Sequence, residues 1–136
     1  MSQPALIGRL TPVLFVDRIG PCLPFWTERL GFEVTAQVPG PDGEAQFVIL
    51  ARDGIEVMYQ TWAATAAESQ ALVAAPRGHS VALFVEVADI ERIDRALAGI
   101  HREVERHRTF YGMDELSVRE PGGAVVTFAM RVADGS

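Results

Sequence analysis

The chain has 136 residues, 49% of them hydrophobic and 22% charged, which fits one packed domain and excludes a disordered chain. Its formal net charge of −6 excludes the basic surface that nucleic acid requires, and an acidic surface favours cationic small molecules instead. Cys22 is the one cysteine, so no internal disulfide can form; with no signal-peptide pattern and no apolar run of membrane length, a soluble cytoplasmic protein is expected.

Taken in chain order, "LTPVLFVD" over residues 10–17 is β-branched and aromatic and predicts a strand. The next segment sets Ile19, Leu23, Trp26 and Leu30 on a helical stripe that stops at Gly31, with Pro21 and Pro24 near its start. "FEVTAQV", "AQFVILA" and "GIEVMYQTW" follow as three strands, joined by the turns "PGPDGE" and Asp53-Gly54. The Ala-rich stretch 63–77 reads as a linker, with room for a short helix.

The same order then repeats. "SVALFVEVA" is a strand, and "DIERIDRALAG" a helix with Asp89 at its N-cap and Gly99 as its stop. The charged segment 100–108 is expected to hold a strand, and "ELSVRE" and "AVVTFAMR" flank a "PGG" turn. One offset of 71 residues carries Val16 onto Val87, Ile19 onto Ile90, Glu44 onto Glu115 and Glu56 onto Thr127. The expected fold class is α+β, with two βαβββ modules in tandem: module one over about 8–62, module two over about 78–131.

The stretches "TPVLFVD", "FWTERLGF", "DGIEVMYQ", "VALFVEVADIE" and "YGMDELSVREPGG" together resemble the vicinal oxygen chelate superfamily. That group contains glyoxalase I, extradiol dioxygenases and bleomycin-resistance proteins, and the motifs lean toward the last. The resemblance runs from about residue 10 to 131. It implies a curved mixed sheet around a cleft, helices on the outer face and a homodimer. It also implies four ligand slots for one divalent ion, which fall at Thr11, Glu56, Ala82 and Thr127.

Of these four, Glu56 alone is a competent ligand, and one carboxylate with two hydroxyls and an alanine is too little for a divalent ion. No metal and no other cofactor is therefore expected. His79 would restore a site if a bulge turned it inward, since strand alternation from Ala82 otherwise points it to the opposite face. His101 and His107 lie among charged residues and read as solvated, and Cys22 reads as core.

With the slots fixed, alternation puts Thr11, Val13 and Phe15, Ala82, Phe84 and Glu86, Glu56, Met58 and Gln60, and Thr127, Ala129 and Arg131 on the cleft face. Leu14, Val16, Leu83, Val85 and Val87 belong under the helices. Trp62, Phe110, Tyr111 and Met113 fall at strand ends, where each either stacks on a ligand or packs against the protein. The expected ligand-binding set is Val13, Phe15, Glu56, Met58, Trp62, Phe84, Glu86, Tyr111 and Arg131. The reading this supports is metal-free capture of an aromatic or cationic small molecule, such as an antibiotic. Two enzyme readings stay open: a metal-dependent glyoxalase or dioxygenase, and a metal-free enzyme with Glu56 or Glu86 as general base.

Overall fold

The computed structural model describes Leu6, residues 9–68 and residues 81–132; His79 and most of the expected linker lie outside the described residues. The first module runs β1 (Val13–Val16), a 3-10 turn (Gly20–Cys22), a π-helical turn (Phe25–Arg29), β2 (Glu33–Pro39), β3 (Ala45–Arg52) and β4 (Ile55–Thr61). Helix α1 (Trp62–Glu68) follows. The second runs β5 (Ala82–Glu86), α2 (Ile90–Ala96), β6 (Val104–Arg108), β7 (Met113–Arg119) and β8 (Val125–Arg131).

Each module makes a four-stranded sheet, ordered β1-β4-β3-β2 and β5-β8-β7-β6. In both, the first strand is an edge and runs parallel to the last, while the other neighbours are antiparallel. The fold is thus α+β with two tandem βαβββ modules. Asp53 (φ 52°) and Gly54 (φ 79°) both take left-handed conformations between the paired residues Arg52 and Ile55. That is the two-residue hairpin turn for which Asp-Gly is suited.

The first helix departs from the expected regular stripe. Pro21 and Pro24 lack the N–H groups that would continue an α-helix across them. Thr27 Oγ1 also donates to the Leu23 carbonyl at 3.0 Å, competing with the backbone for that acceptor. The chain answers with a short 3-10 turn and then one wide turn, closed where Phe32 N donates to Trp26 O at 2.8 Å. The apolar face survives, since Ile19, Cys22, Phe25, Trp26 and Leu30 are all buried. Helix α2 is regular, with the Asp89 carboxylate accepting from Arg92 N at 3.2 Å as its cap.

The two modules share one core. It joins Val16, Trp26, Leu50 and Tyr59 of the first to Leu97, Leu116, Val126 and Phe128 of the second. Leu14, Leu83, Val85 and Val87, expected under the helices, pack against this cluster. Polar contacts cross the same boundary. Trp26 Nε1 donates to the Tyr59 hydroxyl at 2.8 Å, which donates to Glu120 Oε1 at 2.7 Å. Arg29 reaches from the π-helical turn to the Ala98 carbonyl at the end of α2, at 2.9 Å. No helix among the described residues is long and apolar enough to cross a membrane.

The uniform offset of 71 does not hold through the strands. Val13 lies opposite Met58, yet Phe84, its counterpart at that offset, lies opposite Thr127 rather than Ala129. A shift of two residues preserves which face each side chain occupies. It also makes Thr127 the counterpart of Met58, and Val125 the residue opposite Ala82.

Candidate functional site

A cavity of 690 Å³ lies at the seam of the two modules, between the residues before β1, the start of β4 and strand β5. Its inner wall is apolar: Trp26, Leu30 and Phe32 from one module, Leu83, Ile93 and Phe128 from the other. Its polar groups are Arg9, Arg52, Asp53, Glu56, Glu86, Asp89 and Arg92, set along β3–β4, β5 and α2. Apolar walls with a few polar side chains make the chemistry of a small-molecule pocket.

The cavity collects part of the site expected from sequence. Thr11, Glu56, Ala82, Phe84 and Glu86 line it; Val13, Phe15, Met58, Trp62, Tyr111, Thr127 and Arg131 do not. Phe15 and Trp62 are instead satisfied by each other, with ring centroids 5.1 Å apart, because α1 starts at Trp62 and turns the indole back onto β1. Thr127 shares a hydrogen bond of 2.8 Å with Ser117. Tyr111 donates to Glu115 Oε2 at 2.5 Å, and Arg131 is exposed at the end of β8. Sequence reasoning missed Arg9, Arg52, Arg92 and the inner wall. Both faces of β5 border the cavity because β5 is an edge strand, and alternation alone does not reveal an edge.

Glu56 has a partner already. Arg9 Nη1 lies 2.9 Å from Glu56 Oε1, the arginine side chain 65% exposed and the glutamate 22%. So exposed a pair is worth at most about 1 kcal/mol, and a ligand cation can exchange with Arg9 at small cost. Among the described residues Glu86 and Arg92 make no side-chain hydrogen bond or ion pair, which leaves one charge of each sign available at the cavity. Cys22, buried under the first helix, is pushed up to about 11 by burial, reinforced by the Glu120 charge. At that value the thiol is not a nucleophile near neutrality.

The donors do not fit a divalent ion. Thr11, Glu56 and Ala82 line the cavity, the residue paired with Ala82 on β8 is Val125, which brings no donor, and the carboxylate is ion-paired to Arg9. Among the described residues no three His, Cys, Asp or Glu side chains converge. Zn, Fe or Ni would want imidazole or thiolate, and Ca or Mg several oxygens.

Two tandem βαβββ modules, each a four-stranded mixed sheet and both built on one core, define the class of fold. Residues 7–128 match the profile of the Glyoxalase/Bleomycin resistance protein/Dioxygenase superfamily, and the chain belongs to that superfamily. Solved structures agree in fold. A glyoxalase/bleomycin resistance protein/dioxygenase from Nocardioides is similar at a TM-score of 0.70 and 16% identity, over 100% of this chain and 89% of that one. TioX from Micromonospora sp. ML1 is similar at 0.68 and 18%, over 92% and 99%. Lactoylglutathione lyase from Agrobacterium tumefaciens is similar at 0.66 and 18%, over 94% and 96%. A search of curated proteins finds no match to the sequence.

Proposed function

We propose that this protein binds a small organic molecule in the seam cavity without a resident metal or other cofactor. The observation that carries the reading is the lining: apolar and aromatic inside, with exchangeable charges at Glu56, Glu86 and Arg92. An aromatic body would lie against the partly exposed Phe32, Leu83, Phe84 and Ile93, and a cationic group would meet Glu56 or Glu86. An antibiotic of that description is one such compound. Among the described residues β1 and β5 are sheet edges with no further strand beside them, and with the 55% exposed Phe84 they support a homodimer; a single cysteine suits a cytoplasmic protein.

The test is a thermal-shift screen of aromatic cations, anions and neutral compounds, repeated on Ala82→Trp, which fills the cavity from an exposed position. A binder whose stabilisation is lost in the variant is expected. No binder in any class, or equal binding by the variant, overturns the reading. Metal binding is checked by offering Mn, Fe, Co, Ni and Zn in turn. A tight one-to-one ion lost in Glu56→Ala would move the protein to the metal-dependent enzymes and require His79 or another donor to join the site.

A metal-free enzyme is the second reading, and the unpaired Glu86 at the cavity favours it as general base over the ion-paired Glu56. Turnover of a bound compound, abolished in Glu86→Gln and indifferent to chelator, would single it out.

A further inference from the structure

Side-chain hydrogen bonds cross the seam between the modules at two depths. Inside the core, the Tyr59 hydroxyl donates to Glu120 Oε1 at 2.7 Å, with Tyr59 fully buried and Glu120 2% exposed. At the surface, Arg29 Nη1 donates to the carbonyls of Ala98 and Ala96 at 2.9 and 3.4 Å. Breaking the inner link would leave a buried carboxylate and a buried phenol short of a partner. Water replaces either side of the outer link as it opens, so that link gives way at far lower cost.

What Arg29 joins is informative. It ends the π-helical turn, whose Trp26 and the following Leu30 both border the seam cavity. The carbonyls it holds end α2, whose Arg92 and Ile93 border the cavity from the other module. One exposed guanidinium thus ties two opposite walls of the cavity together. It is not required as a cap for α2. Arg102, from the second module itself, donates to the Leu97 and Ile100 carbonyls at 2.9 and 3.0 Å and pairs with Asp94. The last carbonyls of a helix lack partners within it and attract cations, so that end accepts a further arginine from outside. Arg29 arrives from the opposite module, and what it fixes is the separation of the two walls.

We propose that Arg29 is a clasp on the seam cavity, holding the first module's turn to the end of α2 and setting how often the cavity opens to solvent. With the clasp released, the Tyr59–Glu120 link stays closed as the pivot, and the wall carrying Trp26 and Leu30 swings away from Ile93. Arg29 does not line the cavity, so it is a positioning residue that acts through Trp26 and Leu30. Its effect on ligand exchange rests on the seam-cavity reading above, whereas the opening itself is read on the protein alone.

The experiment is acrylamide quenching of Trp26 fluorescence in the whole chain, with Trp62→Phe as the parent so that one of the two tryptophans remains. Trp26 is 1% exposed, so the quencher reaches it only through an opening. Arg29→Met keeps the aliphatic stem and removes the donors, and is expected to raise the quenching constant about three-fold or more. Arg29→Lys, which retains a cationic donor, should recover about half of that difference or more. Arg95→Ala, which removes an exposed charge from the last turn of α2, should match the parent. Unchanged quenching in Arg29→Met, an equal rise in Arg95→Ala, or a Lys variant as open as the Met variant each overturns the proposal. For a compound that binds the cavity, Arg29→Met should speed association and dissociation by a like factor, and unchanged rates would overturn the clasp as a gate. If no compound binds there, the cavity reading fails, while the quenching result still decides the clasp.

Discussion

Asp114 and Glu115 are adjacent in sequence and equally buried, yet they do different work because alternation sends them to opposite faces of β7. Asp114 points to the helix side, where Arg106 holds it and also reaches Glu91 of α2 at 2.8 Å. The hydrogen bonds from Arg106 hold the Asp114 carboxyl below the usual carboxylate range, and burial opposes them with smaller effect. The folded chain therefore binds this proton less tightly than the unfolded chain, in which the group titrates near ~3.9. The stabilisation is complete above that value and is lost as pH falls through the folded-state pKa. Asp114→Asn should consequently lower the melting temperature at pH 7, by about 1–3 kcal/mol of stability. It should also shrink the wild type's further loss below about pH 4. Parallel curves for the two proteins from pH 7 to 2.5 would show that the ion pair contributes nothing. Sequence alone supplies little of this, since Arg106 lies eight residues away in the charged stretch 100–108, whose pairing no local pattern reveals. Glu56 was legible as an odd carboxylate in an apolar strand, but its partner Arg9 sits before the first strand and carries no signal.

At the scale of elements, nearly every strand was legible because β-branched runs end at turn residues with a physical reason to be there. The Asp53-Gly54 hairpin and the capped, Gly-terminated α2 are the clearest cases. The first helix was half legible: its buried stripe follows from spacing, but its broken backbone depends on how two prolines and Thr27 compete for carbonyls. Register was not legible, for a two-residue difference between modules leaves the face pattern untouched and moves Thr127 out of Glu56's position. The "PGG" turn between β7 and β8 shows what such a motif does once packed. A Cβ on Gly122 would lie 2.5 Å from Glu120 Oε1 and 2.7 Å from Val16 Cγ1. The turn thus presses on a buried carboxylate from the second module and a core valine from the first. Gly122→Ala should cost about 1–3 kcal/mol through overpacking and displaced hydrogen bonds at Glu120. A urea midpoint unchanged from wild type would mean that the turn relaxes freely.

For the molecule as a whole, the shared core determines whether the modules unfold together. The modules are separate as sheets, since no ladder joins β1 to β5. They are continuous as a core, however, and the Trp26–Tyr59–Glu120 chain of hydrogen bonds runs through it. Separating them would expose side chains of the shared cluster to water and would strand Glu120 without its phenol. Burial of each such side chain is worth about 1.5–3 kcal/mol, so a state with one module folded and the other not loses a substantial fraction of a typical domain's stability. Leu50→Ala tests this, because Leu50 is fully buried on β3 of the first module. The truncation should cost about 2–5 kcal/mol. If the two modules form one cooperative unit, native-state hydrogen exchange at Leu116 and Val126, in the second module, should lose the same amount of protection as Val48 in the first. Exchange at Leu116 and Val126 that ignores the substitution would show two independently stable halves. In that event the seam cavity would be an opening between bodies free to part, and ligand binding there would have to hold the modules together as well as fill the space.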